Sequence, residues 1–347
     1  MIYLDYASMY PTVESLNSAN FYLNPNANYA TEERQSLMNL EKSMMKNLNL
    51  KTGHLIYFRT ATDCVEWIVR KLAEIGFDCV ASDYEHSSVI EACEATGGII
   101  DDVAVLCMLV NNLNGQVFDT KAYLESIKTT ALPDSTYILG TDLTAAVGHV
   151  KIPEDFSDYT SFAWFDGVKI GAHGIAALWI REDLMKILGA SDDIRNQWGL
   201  RTGTVSVAMV ETLNASINYF YCNNMWSFDN HLNHYKLLAQ YLEDLVRDIG
   251  VVHHYENETD AIRLVTLNGC VGEALQSYLA QQKIYVGLAT SSCSDTENRF
   301  ETAIALGLTE DEALHSIRVS FGDTTTSDDI RKLVKGINDF KEMFGIE

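Results

Sequence analysis

The sequence predicts an α/β fold in which a mainly parallel sheet is sandwiched by helices and joined to a smaller α+β C-terminal unit. Three observations carry this prediction. From Leu55 onward short apolar runs alternate with helical patterns, and strands that alternate with helices pair in parallel through right-handed crossovers. The run Val103–Val110 has no polar alternation, as a strand covered on both faces requires. The stretch Ser161–Ile180, SFAWFDGVKIGAHGIAALWI, sets Lys169 on a glycine-bounded turn between two apolar runs, which places it at a strand end. Ligands in such sheets bind at the carboxyl ends of the strands.

Taken in order, residues 1–13 read as an arm, with the apolar segment Ile2–Tyr6 ahead of Pro11. Asn24-Pro25-Asn26-Ala27 marks a turn, and Leu37, Leu40, Met44, Met45 and Leu48 recur at helical spacing over 31–48. Ser43 and Lys46 there have the spacing of a serine-lysine nucleophile pair, but the Met and Leu stripe around them makes an amphipathic helix. Leu55–Phe58 reads as a strand, and Thr60 and Thr62 suit the cap of a helix carrying Val65, Ile68, Val69 and Leu72. Strands are expected near Cys79–Ser82, Val103–Val110 and Thr136–Thr141, with helices near 87–96 and 119–130. The apolar runs Tyr159–Phe165 and Gly174–Ile180 supply two more strands. Long apolar stripes over 204–221 and 229–249 predict two helices, the first offering a stripe for a dimer to bury and the second a bridge to the C-terminal part. Strands at 261–267, 284–288 and 315–321 then alternate with helices at 271–282, 299–307 and 326–343. The expected division is a large unit over 14–240 and a small one made of 1–13 and 241–347.

A chain of 347 residues can bury a large core. Its formal charge of −23, with no local cluster of lysine and arginine, repels phosphate backbones and anionic lipid, so neither nucleic acid nor a membrane is an expected partner. MIYLDY lacks the basic-then-apolar pattern of a secretory signal, and Val103–Val110, the longest wholly apolar run, is too short to span a bilayer; the expected location is cytoplasmic. Seven cysteines scattered without a CxxC pair fit neither a disulfide framework nor a zinc site, and no metal is expected. Cys79, Cys107 and Cys270 fall in apolar runs and read as core, whereas Cys293 lies in a polar Ser/Thr segment.

Polar residues collect where the strands end. A lysine among apolar neighbours loses hydration of its charged form, so its pKa falls and the neutral amine can attack a carbonyl carbon; Lys169 is the candidate for such Schiff-base chemistry. Thr60, Ala61 and Thr62 begin a helix, where free amides and the helix dipole favour a phosphate. Glu85-His86 follows the second strand, Asn111-Asn112 the third and Asp142 the fourth. Each has a plain structural role open to it: Asp142 can cap a turn, His86 a helix, and Asn112 suits the turn Asn111–Gly115. Together, a carboxylate, an imidazole, an amide, an anion site and a lysine on one rim suit pyridoxal phosphate, whose ring withdraws electrons only while its nitrogen stays protonated.

The segments IYLDYASMYPT, Asn24-Pro25, FRTATD, Glu85-His86, VNNLNG, TDLTAAVG, RTGT at 201–204 and SIRVSFG follow one another along nearly the whole chain. In them the sequence resembles the class V aminotransferase and cysteine desulfurase family of fold-type I pyridoxal-phosphate enzymes, especially the desulfurases that supply sulfur for iron-sulfur clusters. The resemblance implies a homodimer in which Lys169 carries the cofactor, His86 stacks on its ring, Asp142 pairs with the ring nitrogen and Asn112 lies near the ring oxygen. It implies that Thr62 holds the phosphate, with Thr60, Ala61 and Asp166 in the same cofactor-binding set, and that Thr204 reaches the phosphate of the neighbouring subunit. It also places Arg318 on the substrate carboxylate, a role suited to its planar donors, with Asn26 at the substrate.

The departures from that pattern are as specific. Ala145 stands where the family has a glutamine, Asp166-Gly167-Val168 where it has serine-glycine-histidine, and Cys293 falls one place after the position of the catalytic cysteine, here Ser292. The leading expectation is a cysteine desulfurase that converts L-cysteine to L-alanine, leaves a persulfide on Cys293 and passes sulfur to an acceptor protein. The alternatives are a class V lyase or aminotransferase without persulfide chemistry, or a catalytically degenerate homologue that serves as a binding partner.

Overall fold

The structure, a computed structural model, describes residues 1–10, 22–96, 102–130, 135–222, 227–290 and 300–346. The chain opens with β1 (Ile2–Leu4), α1 (Thr31–Asn47), β2 (His54–Phe58), α2 (Ala61–Glu74), β3 (Phe77–Ala81), α3 (Ser87–Glu94) and β4 (Asp102–Met108). It continues with α4 (Thr120–Thr130), β5 (Tyr137–Asp142), α5 (Phe156–Tyr159), β6 (Phe162–Asp166), β7 (Ala176–Ile180), α6 (Glu182–Ile187), α7 (Val207–Tyr221) and α8 (Phe228–Val246). The last part holds β8 (Gly250–Val252), β9 (Ile262–Leu267), α9 (Gly272–Gln281), β10 (Ile284–Leu288), α10 (Glu301–Ala305), α11 (Glu310–Leu314), β11 (Ser316–Ser320) and α12 (Ser327–Phe344).

Six strands form the larger sheet in the order β2-β7-β6-β5-β4-β3. The pairs β3/β4, β4/β5 and β5/β6 are parallel, and β7 runs antiparallel to both neighbours, so β2 and β6 point the same way. Both faces are covered, as the uninterrupted apolar runs required. Alternation along β2 sends Leu55 and Tyr57 to the face under α1 and α7, and Ile56 and Phe58 to the face under α2. Register then sets the rim: Met108 lies opposite Asp142, Asp142 opposite Trp164, and Phe58 and Asp166 both lie opposite Ala176. The carboxyl ends of β2 to β6 therefore open on one side.

The smaller sheet has the order β1-β10-β11-β9-β8, with β1 parallel to β10 and the other pairs antiparallel. Its core joins Leu4 to Tyr235, Leu242, Leu275, Ile317 and Ile337. The N-terminal arm is thus a strand of the sheet built by the last third of the chain.

Two local expectations are corrected. Tyr159 ends the short helix α5 instead of beginning a strand, because the turn at Pro153–Asp155 starts a helical turn that the amide of Thr160 closes onto the carbonyl of Phe156. The apolar face of the 204–221 stripe is covered within this same chain: Val210, Leu213, Ile217 and Phe220 are fully buried, in one core with Met44 and Leu48 of the α1 region. Among the described residues, no helix is long and apolar enough to cross a membrane.

Candidate active site

The lysine turn follows from β6 and β7 being antiparallel neighbours. After Asp166 the chain makes a single 3-10 turn, Gly167–Ile170, closed by Gly171 at φ 81°, a left-handed conformation that glycine adopts without a Cβ clash. Lys169 Nζ donates to the carbonyl of Ser8 at 2.7 Å. Enclosure by protein, with the Arg318 charge adding to it, lowers the Lys169 ammonium from its ordinary value to about 8; Asp166, Asp5 and Asp142 oppose the shift. Near neutral pH a usable fraction of this amine is therefore unprotonated.

Beside Lys169 a cavity of about 150 Å³ is lined by Thr62, His86, Asn112, Asp142, Ala145 and Trp164, among others. Asp142 ends β5 and is buried, its Oδ1 accepting from the amide of Thr144 at 2.7 Å. Burial raises its carboxyl, while the Thr144 hydroxyl and amide, His86 and the Trp164 indole hold it down. His86 caps α3, its Nδ1 accepting from the amide of Ser88 at 3.3 Å, which leaves the proton of the neutral ring on Nε2. Burial lowers its pKa against the pull of Asp142. The capping roles of Asp142 and His86 thus coexist with their place on the cavity wall. The two asparagines divide the work: Asn111 Oδ1 accepts from the amides of Leu113 and Asn114 and shapes the turn, whereas Asn112 faces the cavity.

Two seats suited to anions flank this cavity, and each already carries a carboxylate of the chain. At the N-terminus of α2, Thr60 and Asp63 close a reciprocal cap. The first helical amide, Ala61, donates to Asp166 Oδ2 at 2.9 Å, and the amide of Val168 donates to Asp166 Oδ1 at 2.9 Å. At the second seat Arg318 donates through Nη2 to Asp5 Oδ1 at 2.7 Å and to Ser8 Oγ, and through Nη1 to the carbonyl of Asn112 at 3.0 Å. Its Nε is buried without a partner among the described residues. Gly287 makes room for the pair, since a Cβ there would lie 2.7 Å from Arg318 Nε and 2.8 Å from Asp5 Oδ1. This seat opens on a larger cavity of about 370 Å³, also lined by Lys169, His86 and Asn112, so the two cavities meet at the lysine.

Not every residue expected at the site lies there. Asn26 accepts from the amide of Asn196 at 3.0 Å and lines neither cavity. Thr204 is exposed and lines neither. Cys293 lies outside the described residues. Of the other cysteines, 64, 79, 93, 107 and 270 are buried and Cys222 is exposed; burial raises the thiols of Cys64 and Cys107 well above the ordinary value. Sequence reasoning missed Asp5 and Ser8, whose contacts with Arg318 span 313 and 310 positions and leave no local periodicity to read. The LDY motif in the opening segment was the one available signal.

A half-buried amine at a strand end, shared by two meeting cavities, gives this α/β scaffold a lysine placed where carbonyl chemistry could be done. The family profile described as Aminotransferase class-V matches residues 36–333, and the chain belongs to that family. It is 28% identical over 292 residues to the cysteine desulfurase IscS of Enterobacter sp. (strain 638), covering 82% of this chain and 69% of that one. With the human cysteine desulfurase it shares 26% over 325 residues, 87% of this chain and 66% of the other. In fold it is similar to a solved NifS-like protein, with a TM-score of 0.80 at 16% identity over 99% of both chains. The apo cysteine desulfurase of Thermococcus onnurineus NA1 superposes with a TM-score of 0.75 at 15% identity, over 98% of this chain and 94% of that one.

Proposed function

We propose that this chain is a pyridoxal-phosphate-dependent enzyme acting on a small amino acid, of the cysteine desulfurase type, converting L-cysteine to L-alanine and leaving the sulfur as a persulfide on the protein. The observation that carries the proposal is Lys169 Nζ, enclosed at the meeting of two cavities with a pKa of about 8. Membership of the class V family and the likeness to proteins named cysteine desulfurase support it.

When bound, the cofactor supplies a carbonyl for an amine and an electron-withdrawing ring. The residues around the lysine suit the ring end of that group. Asp142, buried at the cavity wall, is the acceptor for a ring-nitrogen proton, and His86, fixed through Nδ1 by Ser88, is the flat face beside it. Lys169 Nζ gives up and takes back a proton in the neutral range, and the carbonyl of Ser8 orients it. Thr62 lies at the helix N-terminus where a phosphate is expected, although Asp166 holds the first amide there. Arg318 is the group for a substrate carboxylate, through its unpartnered Nε and by exchange with Asp5. Cys293 is the proposed persulfide carrier; neither cavity is lined by another cysteine of the described residues. A homodimer with Thr204 turned to the partner's site, a sulfur-acceptor protein and a cytoplasmic location complete the proposal.

Two measurements test it. Adding pyridoxal phosphate to the purified protein is expected to give an absorbance band near the visible edge that L-cysteine alters, and an added thiol reductant is expected to release the persulfide sulfur as sulfide, a release lost in Cys293→Ala. Cofactor uptake without sulfide release would instead support a class V lyase or aminotransferase. A protein that takes up no cofactor would overturn the enzyme reading altogether.

A further inference from the structure

We infer that Asp166 is a built-in occupant of the anion seat at the N-terminus of α2, and that it determines how much a ligand's phosphate contributes to binding in the Lys169 cavity. This rests on the cofactor reading above and specifies the ligand chemistry of the same site. The first turn of the 14-residue α2 leaves amides without partners inside the helix and carries the positive end of its dipole. Thr60 Oγ1 takes the amide of Asp63, and Asp166 takes that of Ala61. Since Asp166 Oδ1 also holds the Val168 amide, one carboxylate bridges the start of α2 and the start of the lysine turn. Strand register keeps it there: Asp166 ends β6, Phe58 ends β2, and both lie opposite Ala176.

Among the described residues the cation lining the cavity beside this seat is Lys169, whose charge Asp166 already draws on, and little else there compensates a second anion. Asp63 sits in the same helical turn and Asp142 lines the same cavity. Arg201 is committed to the carbonyl of Tyr57 and lies over the Phe58 ring, and Val168 brings only an apolar side chain. A phosphate seeking the Ala61 amide must displace Asp166 or sit against it. Like charges about 4 Å apart at an effective dielectric constant of about 20 repel strongly enough to remove roughly a hundredfold or more in affinity. The ring end of the cavity, with Lys169, Asp142 and His86, carries no such conflict. As built, the site takes a pyridoxal-type aldehyde by its ring and carbonyl and draws little affinity from a phosphate arm.

The test is to titrate wild type, Asp166→Ser and Asp166→Asn separately with pyridoxal phosphate and with pyridoxal, reading ligand absorbance and the fluorescence of the protein, whose Trp164 lines the cavity. Circular dichroism checks that each variant is folded, and Asp166→Asn removes the charge while keeping the shape. Wild type is expected to bind the two aldehydes within about tenfold of each other. Asp166→Ser is expected to tighten pyridoxal phosphate by about tenfold or more while moving pyridoxal by less than about threefold, with Asp166→Asn shifting the same way. A wild-type preference for the phosphorylated aldehyde of about a hundredfold would overturn the inference and leave the cofactor reading standing. So would an unchanged affinity in folded Asp166→Ser. If neither aldehyde binds any of the three proteins, both ideas fall; capture of pyridoxal phosphate by Asp166→Ser alone upholds the occupied seat.

Discussion

The ring end and the anion seats of the Lys169 region are built on opposite principles. Around the ring end the chain encloses groups whose protonation is easily changed: Lys169 is lowered, Asp142 raised and His86 lowered, in each case chiefly by burial. At the two anion seats it supplies its own counter-charge, Asp166 on α2 and Asp5 on Arg318. The difference teaches that strand register fixes a position on the rim whatever residue occupies it. Through its side-chain acceptance of the Val168 amide Asp166 caps the lysine turn, a role a hydroxyl also suits, so the carboxylate meets the local demand of the turn while it stands at the anion seat.

The contrast is broken most severely at its centre. Lys169→Ala is expected to abolish borohydride trapping of a pyridoxyl group on the protein, and mass mapping of the reduced wild type is expected to place the label on Lys169. Because the neutral amine reacts, trapping in the wild type should rise with pH through about 8. A rise centred at the ordinary lysine value would show that this amine is not enclosed.

Next in size is the Arg318 seat. Removing Asp5 leaves a buried guanidinium without its carboxylate, and Asp5→Ala is expected to destabilise the fold by about 2–3 kcal/mol in urea unfolding, below the span for a fully buried pair because Asp5 is partly exposed. An unchanged unfolding midpoint would mean that Ser8 and Asn112 satisfy Arg318 alone.

A gentler probe is Glu85, which has no exposure, accepts from the Met108 amide and leaves Oε2 without a partner among the described residues. Burial, with the Asp142 charge adding to it, pushes its carboxyl well above the ordinary value. A raised folded pKa contributes stability below the unfolded value, and that contribution is lost as pH rises through the folded one. Glu85→Gln is therefore expected to match wild type in acid and to gain on it as pH rises; a gain confined to acid would contradict the burial argument. The smallest effect belongs to Thr60→Ala, which removes one half of the α2 cap and should cost about 1 kcal/mol in the same unfolding experiment.

Much of this was legible beforehand. Short apolar runs located β2, β4 and β7, and period-3.6 patterns located α1 and α12, to within a residue or two, because each buries apolar surface in the core and the pattern is the record of that burial. The rim residues Thr62, His86, Asn112, Asp142 and Lys169 could be gathered because strand ends on one side of a parallel sheet are forced together. What stayed hidden depends on distant pairing. Nothing local in Ile2–Leu4 says that it adds to β10, and nothing near Asp166 says that its carboxylate reaches the Ala61 amide, 105 positions away. The burial of the α7 stripe within the chain was equally out of reach, since an amphipathic pattern reports that a face is covered and not by what.

The pairing of β1 with β10 also governs when the pocket comes into being. Ile2 is made before any strand of the larger sheet, whereas its partner Ile284 leaves the ribosome only after the whole of that sheet has been synthesised. Asp5 and Ser8 travel with that strand, and Arg318 emerges later still. A nascent chain can thus assemble the sheet bearing Lys169 while the wall that orients and encloses its amine is missing, and the long loop must close before that wall is set. Until β1, β10 and Arg318 are in place Lys169 lacks the surroundings that lower its pKa, so an unfinished chain captures a stray aldehyde at this position more slowly than the folded one does.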